Sequence, residues 1–250
     1  MSLVQLAKKV VPRALYPSAL LRRNAQWRTG NTVMSGPFAG MRYLDRSIWG
    51  AYIPKLIGCY ELELHPFIER VLASKPGHLI DIGGAEGYYA VGLLSRLPEA
   101  RLTVFEQLED GRGAIAELAS INGVASRLSI RGSCDPAALD DCLRETGATF
   151  LLSDVEGYEL ELLHPERVPQ LARVNMLVEV HDSAKPGCAE EMARRFEATH
   201  RVTRVAQERR DLAHYPFDDL ARQLAPSWVL RYGLNEFRNP VNGWLWLETR

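Results

Sequence analysis

From residue 78 onward, the chain alternates between two hydrophobic periods. Short apolar runs at 78–82, 101–106, 127–131, 148–154, 174–180, 200–206 and 243–248 predict strands. Between them, apolar positions recur every three or four residues over 87–97, 110–121, 135–146, 157–172 and 187–198, which predicts helices. This alternation predicts an α/β domain with a mainly parallel sheet and right-handed crossovers. Residues 207–242 break the rhythm. They contain Tyr215-Pro216, Ala225-Pro226 and Asn239-Pro240 and no continuous helical face. They predict an inserted, mostly irregular cover ahead of a final strand.

The turn signal Lys75-Pro76-Gly77 separates the alternating region from what precedes it. Residues 1–75 thus read as an N-terminal helical and irregular extension, and 76–250 as the main domain. Leu62, Leu64, Phe67, Ile68, Val71 and Leu72 supply helical apolar positions, with Tyr60, Glu61 and Glu63 as polar groups beside them. Residues 27–50, rich in Gly, Pro and Ser, predict irregular structure. Leu3, Leu6, Ala7, Val10, Val11 and Ala14 form a stripe opposite Lys8, Lys9 and Arg13, with Pro12 inside the pattern. Such a stripe packs on its own domain, on a second copy in a homodimer, or on a membrane surface or partner.

Composition changes the picture little, and charge somewhat more. The 250 residues are 46% hydrophobic and 24% charged, ordinary for a globular protein. The net charge of −1 gives no global pull toward nucleic acid. The first 50 residues nevertheless carry eight basic residues and one acid. No apolar run approaches the ~20 residues of a spanning helix, and no secretory signal is evident. Four scattered cysteines without a CxxC pair argue against a zinc site or a disulfide framework and fit a reducing, cytoplasmic setting.

The candidate chemistry begins at 78–92, where an apolar run ends in Asp81 and Gly83, Gly84 and Gly87 precede a helical face. Glycines at a strand-to-helix corner let backbone approach a nucleotide-like ligand. No Lys-Ser/Thr follows Gly87, so the phosphate loop is absent, and Ile82 stands where a dinucleotide signature needs its first glycine. Asp81-x-Gly83-x-x-x-Gly87 instead resembles the first motif of class I S-adenosylmethionine-dependent methyltransferases. That resemblance implies a methionyl portion lying against Asp81, Gly83, Ala85, Gly87 and Tyr88. Glu106 ends the second strand, where a carboxylate can accept both ribose hydroxyls, and Gln107 could flank the adenine. Ser133-Cys134-Asp135 falls where such enzymes touch the adenine. Asp135 serves equally as a helix N-cap before Pro136.

The fourth strand runs into Asp154-Val155-Glu156-Gly157-Tyr158-Glu159, then Leu162-Leu163. This stretch resembles the FkbM-type methyltransferase family, and the likeness spans about residues 78–182. It implies a Rossmann-like class I methyltransferase fold, with seven mostly parallel strands and the last antiparallel, and O-methylation of small molecules or sugars. Asp154 and Glu156 should face the same crevice as Asp81 and Glu106. Glu179 and His181 alternate at the end of the fifth strand. Three readings fit them: His181 as a general base helped by a carboxylate, a divalent ion held by Asp154, Glu179 and His181, or loop-fixing hydrogen bonds. Arg238 and Asn235 read as a solvated loop or as acceptor contacts. Trp228, Tyr232, Phe237, Trp244 and Trp246 read as core or as a ring-binding wall.

The expected function is methyl transfer from S-adenosylmethionine to a small-molecule or sugar hydroxyl. Two alternatives stand beside it: an NAD(P)-dependent oxidoreductase and a non-catalytic cofactor-binding protein.

Overall fold

A computed structural model describes residues 16–250 of the chain. The stripe expected over residues 3–15 lies outside them. Two compact units form: residues up to Tyr60 with Arg209–Phe237, and Glu61–Glu208 with Arg238–Arg250.

The larger unit is the alternating α/β region. Its strands are β1 His78–Ile82, β2 Arg101–Phe105, β3 Leu128–Arg131, β4 Phe150–Ser153, β5 Asn175–Val180, β6 His200–Val205 and β7 Gly243–Thr249. They form one sheet in the order β3-β2-β1-β4-β5-β7-β6. Pairing is parallel from β3 through β5, and β7 runs antiparallel to β5 and β6. This is the Rossmann-like class I methyltransferase arrangement. β1, β4 and β5 are buried almost throughout, whereas β3 and β6 at the edges expose residues. Near-continuous burial is what layers on both faces of a parallel sheet produce. The core joins Ile80, Leu151, Met176 and Val178 of the strands to Leu139, Leu163, Met192 and Phe196. Trp244 and Trp246 of β7 are core residues, and Trp246 packs against Phe67 and Phe150 at 5.6 and 6.3 Å between ring centroids.

Helices α3 His65–Ser74, α4 Tyr88–Arg96, α5 Glu109–Ile121, α6 Pro136–Thr146, α7 Glu159–Leu162 and α8 Cys188–Phe196 fall among the strands of this unit. One element differs from expectation. The helix expected over 157–172 is only α7 and a separate 3-10 turn, Pro169–Arg173. His164-Pro165 separates them: the residue before a proline is pushed out of the helical region, and the proline has no N–H to give.

The smaller unit holds α1 Pro17–Thr29 and α2 Tyr52–Ile57 together with α9 Leu220–Leu224 and α10 Ser227–Leu234. α1 ends at Gly30 in the left-handed region. Asn24 on α1 donates to Tyr215 and Asp219 at 2.9 and 2.7 Å. A buried Arg210–Glu236 pair at 3.0 Å closes the second segment. Trp228, Tyr232 and Phe237 are exposed here, so they are not core. No helix among the described residues is long and apolar enough to cross a membrane.

Candidate functional site

The strand order reverses between β1 and β4, and in open parallel sheets the crevice outside the strands' carboxyl ends at such a point is where ligands bind. The corner after β1 is built tightly. Asp154 N–H donates to the Ile82 carbonyl at 2.9 Å, and Gly83 and Gly84 N–H both donate to the Phe105 carbonyl at 2.9 and 3.2 Å. Gly83 has φ +85°, and a Cβ there would stand 1.8 Å from the Asp154 carbonyl oxygen. Gly87, at φ +91°, turns the chain into α4, whose first residue is the buried Tyr88.

Glu106 lies directly after β2 and is buried. Its Oε2 accepts from Ala85 N–H at 2.9 Å and its Oε1 from Leu108 N–H at 2.8 Å. Each oxygen keeps a further lone pair, so two ribose hydroxyls can still be received. Gly111, which sequence reasoning missed, makes this possible: a Cβ there would meet Glu106 Cγ at 2.6 Å and Ala85 O at 2.9 Å. Its signal was a glycine in the first turn of a helix, where glycine is otherwise unfavourable. Asp81 is buried and its Oδ1 has no hydrogen-bond partner. Burial, and then the Glu106 carboxylate, push its pKa up to about 7.

Two expected adenine contacts are placed differently from one another. Gln107 is exposed, with its carbonyl accepting from Arg112 at 2.7 Å. Cys134 is half-buried against the hydrophobic core, and burial pushes its thiol up to about 12. Asp135 caps α6, accepting from Ala138 N–H at 2.8 Å.

The second cluster sits at the ends of β4 and β5. His181 follows β5 and is buried. Its Nδ1 lies 2.6 Å from Glu159 Oε1. Its Nε2 lies 3.3 Å from Glu156 Oε2 and 3.7 Å from Asp154 Oδ1. Glu156 adopts φ +52° and leaves 80% of its side chain exposed. Burial opposes the charged imidazolium, but the Glu159 hydrogen bond and the field of Glu179, Glu159 and Glu156 outweigh it, so His181 titrates above its ordinary value. Asp154 is held well above the carboxylate range by burial and by Glu179, Glu61 and Glu156. Asp154, Glu156 and His181 offer ligand atoms within 4.8 Å of one another, so an ion could be held there. Glu156 takes the place expected of Glu179 in that trio.

Glu179 faces elsewhere. Its Oε1 receives Arg238 Nη2 at 3.0 Å, while Arg238 Nη1 reaches Glu63 at 2.5 Å and Glu61 at 3.5 Å. All four side chains are nearly buried, and Tyr89 donates to Glu61. Arg238 is therefore neither a solvated loop residue nor a free acceptor contact. Burial works against its charge, but Glu61, Glu179 and Glu63 hold it ionised. Glu61 and Glu63, noted in the sequence only as polar neighbours, belong to this network. Their signal was two acids alternating with Leu62 and Leu64.

Two shallow recesses of about 470 and 460 Å³ lie elsewhere, lined in part by His200 and Arg201 of β6 and by Arg250. They lie at the amino end of β6, opposite the strand ends that carry the acids. His200 there bonds the Val174 carbonyl at 2.9 Å, a structural role.

No family model matches the chain, and no curated protein matches it. Among solved structures, the chain is similar to the O-methyltransferase TomG of Streptomyces achromogenes in complex with SAM, at 14% identity over 82% of this chain and 89% of that one, TM-score 0.44. It is also similar to an O-methyltransferase of Bacillus cereus in complex with SAH, at 10% identity over 82% and 90%, TM-score 0.44. A third is the C-terminal domain of precorrin-6Y C5,15-methyltransferase of Rhodobacter capsulatus, at 15% over 74% and 89%, TM-score 0.46. Likeness this low assigns nothing to the chain, whose fold is read from its own strand order.

Proposed function

We propose that the chain is an S-adenosylmethionine-dependent methyltransferase of FkbM type, acting on a hydroxyl of a small molecule or sugar. The observation carrying this reading is one crevice edge that brings together Asp81, Glu106, Asp154 and a buried His181 whose Nε2 faces outward from Glu159. The donor set suits such a cofactor. Asp81 Oδ1 is buried without a partner, burial and neighbouring carboxylates raise the pKa values of Asp81 and Asp154, and Glu106 has lone pairs to spare. An acceptor-rich, acidic wall favours a ligand with hydroxyl donors and a cation.

S-adenosylmethionine supplies a sulfonium-bound methyl group that an oxygen nucleophile can take. Glu106 would receive the ribose hydroxyls, and the Gly83–Gly84 backbone would leave room for the methionyl part. Holding the two reactants in line accounts for up to ~7–11 kcal/mol of barrier in such reactions. His181 Nε2 would take the hydroxyl proton as the oxygen–methyl bond forms and the sulfur–methyl bond breaks. The net change in the ligands is an ether, a neutral thioether and a proton passed to His181. A dinucleotide fits less well, because its pyrophosphate would lie at the glycine corner after Asp81, where Ile82 stands in place of the first glycine that signature needs.

Calorimetry with S-adenosylhomocysteine and with NAD, each with and without Mg²⁺, tests the reading. Binding of S-adenosylhomocysteine is expected. Binding of NAD in its place would overturn the proposal in favour of an oxidoreductase. A Mg²⁺ effect lost in Glu156→Gln would place an ion at Asp154, Glu156 and His181.

A further inference from the structure

The most completely buried charged side chain of the second cluster is one to which the acid/base reading gave no part. Glu159 begins α7 and its side chain is 0% exposed. Its Oε1 accepts from Gly157 N–H at 2.9 Å and faces His181 Nδ1 at 2.6 Å. Its Oε2 receives the Cys188 thiol at 3.7 Å. Cys188 suits a donor: burial, then Glu159, push it up to about 12, so the S–H is retained. One oxygen thus ties the turn carrying Asp154 and Glu156 to the end of β5 carrying His181.

We propose that Glu159 is the positioning carboxylate of this site, fixing His181 as the Nδ1–H tautomer with the Nε2 lone pair facing Asp154 and Glu156. The inference rests on the reading of His181 as the base and extends it by a residue that touches no reactant. Both Glu159 oxygens are already acceptors, Oε1 from the Gly157 N–H and Oε2 from the Cys188 thiol, so the ring nitrogen 2.6 Å from Oε1 is the one that carries the proton. The other ring nitrogen is then the one with a free pair. The groups facing the imidazole are Asp154 and Glu156 from the end of β4 and Glu159 from α7, while Glu179 of β5, paired with Arg238, acts on it only through its field. Of these only Glu159 is within hydrogen-bond distance of a ring nitrogen and fully buried, so it decides the tautomer. The spacing in Asp154-Val155-Glu156-Gly157-Tyr158-Glu159 acquires a reason. Glu156 and Gly157, at φ +52° and +105°, reverse the chain so that the acid five residues after Asp154 comes back beneath His181.

Nitrogen-15 NMR of the histidines in the full-length, cofactor-free protein tests this without any activity. The His181 signal is the one missing from His181→Ala. At a pH where the ring is neutral, the wild type should show a protonated Nδ1 and a bare Nε2, with the Nδ1 proton far downfield. Glu159→Leu should lose the downfield proton and shift the tautomer toward Nε2–H. Glu159→Gln keeps an acceptor of the same shape but not the charge, and should move that proton upfield with the Nδ1–H tautomer retained. An unchanged Nδ1 proton in Glu159→Gln overturns the inference even if Glu159→Leu fails to fold. With an acceptor in hand, Glu159→Leu should lower kcat by about 10²-fold with the KM for cofactor unchanged, within the range a general base contributes. Failure of the wild type to transfer methyl at all would overturn the functional reading and leave the NMR result standing.

Discussion

At Gly83 the chain has no room for a single methyl group. Its φ of +85° and the 1.8 Å approach of the Asp154 carbonyl act together, since β1 and β4 are hydrogen-bonded neighbours whose ends converge at that residue. Gly83→Ala should cost about 2–4 kcal/mol in urea denaturation, a large single-residue effect from strain and overpacking, and should abolish S-adenosylhomocysteine binding. Gly77 is the control. A Cβ there meets nothing within 4 Å, so Gly77→Ala should stay within about 0.5 kcal/mol of the wild type. The glycine corner was legible in the sequence because spacing after a strand is a local property. Gly111 was not, because its need comes from Glu106 Cγ folding over it.

Among the elements, Arg238 ties three separate pieces of the larger unit: the Glu61–Glu63 stretch, β5 through Glu179, and the approach to β7. Arg238→Ala would remove the cation that the buried carboxylates of Glu61, Glu63 and Glu179 share. A loss of about 3–5 kcal/mol is expected at neutral pH by chemical denaturation. The deficit should narrow as pH falls, because protonation removes the charges left uncompensated. An unchanged deficit at pH 4–5 would mean that packing, not charge, is what Arg238 contributes. The alternation of strands and helices was readable because each period is local. The break of the 157–172 helix was written in His164-Pro165 too, but the apolar positions on either side suggested continuity. Leu162, Leu163 and Val168 are all fully buried, although a turn separates them.

For the whole molecule, Asp81 gives stability a pH dependence. Its ordinary pKa of 3.8 rises to about 7 on folding, so between those values the unfolded chain releases the proton first. Stability from this group is full below about pH 4 and falls as pH rises toward 7, by an amount on the order of a few kcal/mol. Asp81→Asn should flatten that segment of a denaturation-versus-pH curve. A wild-type curve that rises with pH over this window, and does not change its slope in the variant, would contradict the burial argument.

What the sequence by itself determined was local: which segments are strands or helices, where the glycine corner falls, and which acids end strands. Hydrophobic period and turn chemistry act over a few residues, so a linear reading captures them. The order β3-β2-β1-β4-β5-β7-β6 agrees with the family resemblance, but periodicity alone does not contain it. Only the tertiary structure decided which charges meet. Glu159 and His181 are 22 residues apart, and Glu63 and Arg238 are 175 apart. Burial makes each pair matter, because a charge removed from water must find its counterpart or its proton in whatever the fold places beside it.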